Sequence, residues 1–190
     1  LREIYLTGFE IAVEESNPGA IMSSYNKLNG EFTNENEHLL AEILRGEWGF
    51  KGVIVTDWAG CNDRIKGLIA GNELEMPSCR YGADDVYEAL SNGTLDEKIV
   101  DERLDNLIDF ILTTDEALKK APKSFNEEEH HALARKCAEE SVVLLKNDGA
   151  VLPLGKEKVC FIGDFADRPR SQGAGSSTVN PTRVEHFKDE

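Results

Sequence analysis

The feature that most constrains the fold of this chain is an alternation of amphipathic stretches with short apolar runs over roughly its first 112 residues. The amphipathic stretches carry apolar residues at helical spacing, as at Ile4, Phe9 and Val13. The apolar runs are rich in β-branched residues, which suit a buried strand, and residues 53–55 are the clearest case. Helices that alternate with strands are typical of parallel β/α units. The sequence therefore predicts an α/β fold.

Capping residues and chain breakers set the expected bounds of the helices. The segment Asn17-Pro18-Gly19 ends a first helix over residues 1–15. Capping boxes are predicted at Asn34 with Glu37, at Thr94 with Glu97 and at Asn126 with Glu129, and the second of these helices is expected to run to about Leu112. Further helices are expected at "RIKGLIAG" and "ADDVYEALSNG", a turn at "NKLNG", and strand-like runs at "AIMSSY", "GVIVTD", "NELEMP", "SVVLL" and "KVCFIG".

A change in composition divides the chain into two parts. The segment "TTDEALKKAPKSF" is polar, charged and interrupted by Pro122, which favours a linker over residues 116–124. Residues 1–115 are then expected to form one domain, and residues 125–190 the start of a second.

The formal net charge of −15 at pH 7 argues against some classes of partner. A polyanion would be repelled and no basic patch is visible, so we expect neither nucleic acid nor a membrane surface as a partner. A neutral sugar is compatible with this charge. The four cysteines, at positions 61, 79, 137 and 160, are far apart and show no metal-ligand spacing. We expect them to be buried, reduced thiols, and we expect no metal and no cofactor.

Polar residues follow three of the predicted strands: Ser23-Ser24-Tyr25-Asn26, Thr56-Asp57-Trp58 and Glu73-Leu74-Glu75-Met76-Pro77. In a β/α barrel, the loops after the carboxyl ends of the strands form the active-site face. A sugar ring can stack on the flat ring of Trp58 while the carboxylate of Asp57 attacks the anomeric carbon. The residues alone leave a second interpretation open, in which Asp57 caps the next helix and Trp58 fills the core.

Four segments of the chain resemble glycoside hydrolase family 3 and occur in the order found there. They are "AIMSSYNKLNG", "LRGEWGFKGVIVTDWAG", "AGNELEMP" and "EESVVLLKNDGAVLPL". The similarity runs from "LREIYL" to "QGAGSSTVNP" and is greatest to the β-glucosidase branch. It implies the C-terminal part of a (β/α)8-type barrel followed by the start of an α/β sandwich domain. It also implies a retaining, exo-acting β-glycosidase that hydrolyses terminal β-D-glucosyl residues.

The resemblance implies roles for individual residues. Asp57 occupies the position of the catalytic nucleophile in the family's serine/threonine-Asp-Trp motif. Tyr25 occupies a position beside it, where its hydroxyl could hold the carboxylate in place. Trp58 and Met76 are expected to line the sugar site, whereas Glu75 is expected to be structural. A loop of the second domain is expected to reach the aglycone side, with contacts from Arg170, Gln172 and Ser176.

The resemblance also implies parts that these 190 residues do not supply. In the family, a Lys-His pair and an aspartate that grip the sugar come from strands before the position of Leu1, and the acid/base glutamate lies beyond the position of Glu190. We therefore expect the isolated chain to be inactive and to associate with itself through uncovered barrel edges. Any signal peptide would precede Leu1, so the cellular location stays open, with the cytoplasm favoured.

Alternatives remain within and outside the family. Its N-acetylglucosaminidases typically have Asp-Asp where this chain has Asp57-Trp58, and its β-xylosidases usually carry cysteines around the tyrosine motif, which "MSSYNKLNGEFTNEN" lacks. A β-glucosidase that acts on β-linked glucosides or oligosaccharides is therefore favoured. The alternative from a different class is a non-catalytic carbohydrate-binding or interaction fragment.

Overall fold

The computed structural model describes residues 1–77 and 83–186, which divide into two units, Leu1–Ser124 and Phe125–Glu190. The first unit alternates helices with short strands, which confirms the predicted α/β class. Its elements are a π-helical turn (Arg2–Leu6), α1 (Thr7–Ser16), β1 (Ala20–Met22), β2 (Lys27–Leu28), β3 (Glu31–Phe32), a 3-10 turn (Thr33–Glu35), a π-helix (His38–Glu47), β4 (Val53–Val55), α2 (Arg64–Ala70), α3 (Asp84–Asn92) and α4 (Glu97–Lys120). The second unit contains α5 (Glu127–Ser141) and 3-10 turns at Asp164–Ala166 and Gly175–Ser177.

Strands β1 and β4 lie side by side and parallel, with Ala20 opposite Val53 and Met22 opposite Val55. Leu74 forms a parallel bridge to Val55 along the other edge of β4, so β4 lies in the centre of three parallel segments. Because parallel segments all end at the same edge, the residues that follow each of them are brought together there. This arrangement positions the candidate site.

The loop after β1 turns back through a tight hairpin formed by β2 and β3. Asn29 and Gly30 at its tip have φ angles of 52° and 95°, the left-handed backbone that a two-residue hairpin turn requires. Asparagine and glycine adopt this conformation at low cost. The turn predicted at "NKLNG" is therefore confirmed.

The core of the first unit lies between β4 and the helices that flank it. Ile54 is fully buried, and Gly52, just before β4, lies against the backbone of the loop that precedes β1. A Cβ atom at Gly52 would collide with the carbonyl group of Gly19, so only glycine allows this approach. The buried apolar cluster consists of Val13, Leu40, Leu44, Phe50, Ile54 and Ala70.

A buried carboxylate ties the helices of the first unit to β4. The side chain of Glu73 is fully buried and accepts hydrogen bonds from Arg45 (2.6 Å), Arg103 (3.2 Å) and Asn106 (3.0 Å). Its second oxygen accepts the backbone N–H of Ile54 at 2.7 Å. Since a buried charge is stable only when it is paired and hydrogen-bonded, this network fixes the π-helix and α4 relative to the central strand.

Two of the three predicted helix caps are wrong. Asn36, not Asn34, caps the π-helix, because its Oδ1 accepts the N–H of Leu39 at 2.8 Å. Asp96, not Thr94, caps α4 by accepting the N–H of Lys98 at 3.0 Å. Asn34 is buried and accepts a hydrogen bond from the Ser23 hydroxyl instead. The third prediction is confirmed, since Asn126 accepts the N–H of Glu129 at 3.3 Å.

Helix α4 continues to Lys120, beyond the predicted end near Leu112 and into the predicted linker. Lysines in its last turn favour this extension, because they complement the negative end of the helix dipole. Residues 116–120 are therefore helical, and the chain leaves the helix at Ala121.

Several predicted buried segments are exposed. The strand β1 leaves Met22 about half exposed, because in the described residues β1 pairs only with β4. "SVVLL" and "KVCFIG" form no strand in described residues 125–186, since a strand needs a partner for its backbone groups. Cys137 and Cys160 are exposed free thiols, contrary to prediction, and Cys61 is a partly buried one. Cys79 lies outside the described residues.

Candidate active site

Three loops meet at the carboxyl ends of β1, β4 and the bridge at Leu74. The N–H of Ser23 donates to the carbonyl of Val55 at 2.9 Å, and the N–H of Thr56 donates to the carbonyl of Leu74 at 2.9 Å. These bonds extend the parallel pairing by one residue on each side of β4. Tyr25, Asp57 and Met76 follow directly, each in the loop after its own segment.

Asp57 interacts with the residue that follows it and with Tyr25 from the loop after β1. One carboxylate oxygen accepts the N–H of Trp58 at 2.7 Å, and the Tyr25 hydroxyl donates a hydrogen bond to the carboxylate. This hydrogen bond raises the pKa of the Tyr25 phenol above its ordinary value, and desolvation and the charge of Asp57 add to the effect. The phenol therefore keeps its proton and acts as a donor to the carboxylate.

The turn that carries Asp57 has a fixed backbone conformation. Ala59 has a φ angle of 62°, an uncommon value for a residue with a Cβ atom. Its N–H donates to the carbonyl of Met76 at 2.8 Å, and the N–H of Gly60 donates to the carbonyl of Asp57 at 2.8 Å. These two bonds hold the strained residue in place and join the Asp57 turn to the neighbouring loop.

The interpretation of Asp57 as a helix cap and Trp58 as a core residue is wrong. Helix α2 is capped by Asp63, whose side chain accepts the N–H of Lys66 at 3.1 Å. The side chain of Trp58 is 54% exposed and that of Tyr25 is 56% exposed. In the first unit, an aromatic ring and a phenol thus lie on an accessible surface beside a carboxylate.

Sequence reasoning did not single out three side chains that hold these loops. Thr56 is almost fully buried, and its hydroxyl accepts the N–H of Met76 at 2.8 Å. Glu35 is buried and accepts the N–H groups of residues 62 and 63 at 3.1 and 2.8 Å. Arg64 pairs with Glu75 at 2.6 Å, which agrees with the structural role expected for that glutamate. A pattern search for exposed polar residues misses such groups because their partners are 11 to 28 residues away along the chain.

The three second-domain residues predicted at the aglycone side lie in the unit Phe125–Glu190. Arg170 and Ser176 are exposed, and Ser176 belongs to the 3-10 turn Gly175–Ser177. The side-chain oxygen of Gln172 accepts the N–H of Val179 at 2.6 Å, a contact within the same loop. Their role in binding stays a prediction.

Cys61 lies close to this site but is poorly suited to nucleophilic chemistry. Burial raises the pKa of its thiol to about 11, and the nearby charge of Glu75 contributes. The thiolate is the reactive form, so the raised pKa disfavours nucleophilic chemistry at this thiol. Within residues 1–77 and 83–186, no group of three or more His, Cys, Asp or Glu side chains is arranged to hold a metal ion. None of the described helices has the length and apolar character needed to cross a membrane.

Models of two protein families match the chain. The Glycosyl hydrolase family 3 N terminal domain matches residues 1–110, and the Glycosyl hydrolase family 3 C-terminal domain matches residues 142–190. The first match includes β1, β4 and the Asp57 turn, and the second includes the loop with Arg170, Gln172 and Ser176.

Among curated proteins, thermostable beta-glucosidase B of Acetivibrio thermocellus is 44% identical over 193 residues, which cover 100% of this chain and 25% of the relative. The exo-alpha-(1->6)-L-arabinopyranosidase of Bifidobacterium breve is 39% identical over 199 residues, which cover 100% of this chain and 26% of that protein. The chain therefore spans about a quarter of the length of these relatives.

Solved structures give the same result. The GH3 beta-glucosidase of Bifidobacterium adolescentis is 38% identical with a TM-score of 0.87, over 100% of this chain and 28% of that one. Beta-glucosidase 3B of Thermotoga neapolitana, in complex with alpha-D-glucose, is 36% identical with a TM-score of 0.85, over 96% of this chain and 27% of that one. The model of the N-terminal domain matches more than half of the chain, so the chain belongs to glycosyl hydrolase family 3.

Proposed function

We propose that the full-length gene product is a retaining, exo-acting β-glycosidase that hydrolyses terminal β-D-glucosyl residues, with Asp57 as its nucleophile. The observation that carries the proposal is the geometry of Asp57, an accessible carboxylate at the end of β4 with the Tyr25 hydroxyl bonded to it and the Trp58 ring beside it. Relatives named beta-glucosidase, in the curated set and among solved structures, support the choice of sugar.

The proposed reaction follows from this arrangement. The Asp57 carboxylate attacks the anomeric carbon as the bond to the aglycone oxygen breaks, which gives a covalent glycosyl ester on Asp57. The leaving oxygen takes a proton from a second carboxyl group, which regains one from water in the next step. Water then cleaves the ester, and the sugar is released with its original configuration. Tyr25 holds the attacking carboxylate, and Trp58 and Met76 provide the surface against which the ring packs. A retaining enzyme needs a second carboxyl group about 5 Å from the first, and we propose that it comes from outside these residues, as the family resemblance implies.

The fold is proposed to serve this chemistry as follows. Residues 1–115 form part of a (β/α)8-type barrel, in which β1, β4 and the bridge at Leu74 are neighbouring wall segments. Residues 116–124 join it to residues 125–190, the start of an α/β sandwich domain that provides Arg170, Gln172 and Ser176 on the aglycone side. The parallel order of the three wall segments supports the barrel assignment.

The test is hydrolysis of an aryl β-D-glucoside by the full-length gene product, followed by NMR of the sugar first released. We expect β-D-glucose before mutarotation, because two displacements at one carbon restore its configuration. Release of the α-anomer would overturn the retaining mechanism, and absence of hydrolysis would overturn the activity.

A second candidate sugar is favoured by one observation, the 39% identity to an arabinopyranosidase. An α-L-arabinopyranoside lacks the hydroxymethyl group of glucose and has the opposite configuration at C4, so the two substrates differ at two positions of the ring. Assays with aryl β-D-glucoside and aryl α-L-arabinopyranoside in parallel distinguish them. We expect the larger kcat/KM with the glucoside.

Replacing Trp58 with alanine is expected to lower kcat/KM with little effect on the thermal midpoint. The ring is more than half exposed, so its loss removes a sugar contact worth about 1–3 kcal/mol rather than core packing. The matched control is the chain's other tryptophan, Trp48, which packs against the buried cluster. Trp48→Ala is expected to lower the thermal midpoint and leave the kinetic constants of the folded enzyme unchanged. The reverse pattern would contradict the placement of Trp58 at the sugar site.

The 190 residues expressed alone are expected to associate and to show no glucosidase activity. Large apolar side chains including Ile4, Tyr5 and Phe9 are exposed, and an apolar cavity of about 620 Å³ opens beside the edge of β1 that pairs with no other described strand. An unpaired strand edge and exposed apolar surface favour association with another copy. Sedimentation velocity and an aryl β-glucoside assay measure both properties. A monomer that turns over substrate would show that the chain carries a complete site.

A further inference from the structure

The loop that follows Asp57 is fixed by groups outside it. At its far end, the carboxylate of Glu35 accepts the N–H groups of Asn62 and Asp63. At its near end, the only contact of the Ala59 N–H is the carbonyl of Met76, at 2.8 Å, among the hydrogen bonds of the described residues. The bond from Ala59 to Met76 therefore links the turn of Asp57 to the backbone of Met76.

The backbone of Met76 forms hydrogen bonds with Thr56 and Ala59, the residues that flank Asp57 and Trp58. Its carbonyl accepts from Ala59, and its N–H donates to the hydroxyl of Thr56 at 2.8 Å. Thr56 is 1% exposed and follows directly after β4. A shift of the Met76 backbone would thus move the turn of Asp57 relative to the strand and to Tyr25.

Arg64 fixes the residue that precedes Met76. Its Nε donates to Glu75 Oε2 at 2.6 Å, and its Nη1 donates to Asp85 Oδ1 at 2.8 Å. The side chains of Arg64 and Glu75 are 16% and 28% exposed, so this pair is largely shielded from water. A charge-assisted hydrogen bond in such a place is shorter and stronger than a neutral one.

We propose that Arg64 is a positioning residue for the glycosidase reaction: through its ion pair with Glu75 it holds Met76, and through Met76 it fixes the orientation of Asp57. The inference rests on the proposed function of Asp57. Arginine suits the role because its planar fork reaches Glu75 and Asp85 with two different N–H groups. Lysine keeps the positive charge but lacks the planar fork, so it would orient the Glu75 carboxylate less precisely.

The test compares four variants of the full-length gene product: Arg64→Gln, Arg64→Lys, Glu75→Gln and the control Asp85→Asn. Asp85→Asn removes the ion pair between Arg64 and the exposed Asp85, and it leaves the hydrogen bond from Arg64 to Glu75. For each variant we would measure kcat and KM for an aryl β-glucoside, the pH dependence of kcat/KM, and the thermal midpoint. Crystal structures of the wild type and Arg64→Gln give the distance from Ala59 N to Met76 O and the position of the Asp57 carboxylate.

We expect Arg64→Gln and Glu75→Gln to lower kcat by on the order of 10- to 100-fold with KM much less affected, because a displacement of about 1 Å in a reacting group has effects of this size. Arg64→Lys is expected to fall between these variants and the wild type, and Asp85→Asn to remain within about twofold of the wild type. A lowered thermal midpoint with unchanged kcat and pH profile would overturn the proposal in favour of a purely structural ion pair.

The structural measurement separates this proposal from the proposed function. If the wild type shows no glycosidase activity, the proposed function fails and the crystal structures decide the role of Arg64. A longer Ala59–Met76 contact with a displaced Asp57 in Arg64→Gln supports positioning by Arg64. An unchanged turn in that variant overturns it.

Discussion

Replacing Asp57 with alanine is expected to lower kcat of the full-length gene product by about 10⁴- to 10⁶-fold, the range found when a residue that forms a covalent intermediate is removed. In the proposed reaction the glycosyl ester forms on Asp57, so its first step is lost when the carboxylate is removed. The thermal midpoint is expected to stay close to that of the wild type, because Asp57 is only partly buried and makes no ion pair in the described residues. Steady-state assays with an aryl β-glucoside measure the effect.

Asp63 provides the matched control for this experiment. It lies six residues after Asp57 and caps α2, a role that asparagine fills equally well. Asp63→Asn is therefore expected to retain both activity and stability. Addition of azide to Asp57→Ala is expected to restore part of the cleavage, since a small anion can occupy the space of the lost carboxylate. Near-normal activity of Asp57→Ala without azide would exclude Asp57 as the nucleophile.

Replacing Glu73 with glutamine is expected to destabilise the protein by about 3–5 kcal/mol, the range for a buried ion pair that loses one partner. The change keeps the shape of the side chain but leaves the guanidinium groups of Arg45 and Arg103 without their shared carboxylate. Burial already lowers the pKa of Arg45, and the nearby charge of Arg103 adds to this effect, so these cations depend on Glu73 for compensation.

The control for Glu73 is an exposed ion pair of the same unit. Glu116 pairs with Lys119 at 2.7 Å on the surface of α4, where such a pair contributes about 0–1 kcal/mol. Urea and thermal unfolding of Glu73→Gln and Glu116→Gln in the full-length product give the comparison. Equal stability of the two variants would mean that the buried network does not fix the helices to β4.

The arrangement of the strands could be predicted from the sequence because it depends on local patterns. The run of β-branched residues at 53–55 forms β4, and the Asn29-Gly30 pair forms the hairpin turn. The resemblance to glycoside hydrolase family 3 implies that Tyr25 lies beside Asp57, and the Tyr25 hydroxyl interacts with that carboxylate in the structure.

Contacts between distant residues could not be predicted in this way. Asn34 has the sequence context of a helix cap, but tertiary contacts bury it and Asn36 takes the role. Glu73 and Glu75 lie two residues apart with similar neighbours, yet one binds Arg45 and Arg103 and the other binds Arg64. Their partners are 11 to 30 residues away along the chain, and no local pattern encodes that choice.

The apolar runs of the second unit show a further limit. "SVVLL" has the composition of a buried strand, but Leu145 is 91% exposed and the run pairs with no strand in described residues 125–186. Composition specifies that a segment can form a strand, whereas formation of the strand requires a neighbour that satisfies its backbone groups.

The most direct test of the central claim is to trap the glycosyl group on Asp57. A 2-deoxy-2-fluoro-β-D-glucoside with a good leaving group slows hydrolysis of the covalent intermediate, so the labelled enzyme accumulates and can be digested with trypsin. Cleavage after Lys51 and Arg64 releases residues 52–64, and fragmentation of this peptide distinguishes Asp57 from Asp63. The account predicts one fluoroglucosyl group, attached to Asp57. A label on any other residue, or steady turnover with no label on this peptide, would contradict it.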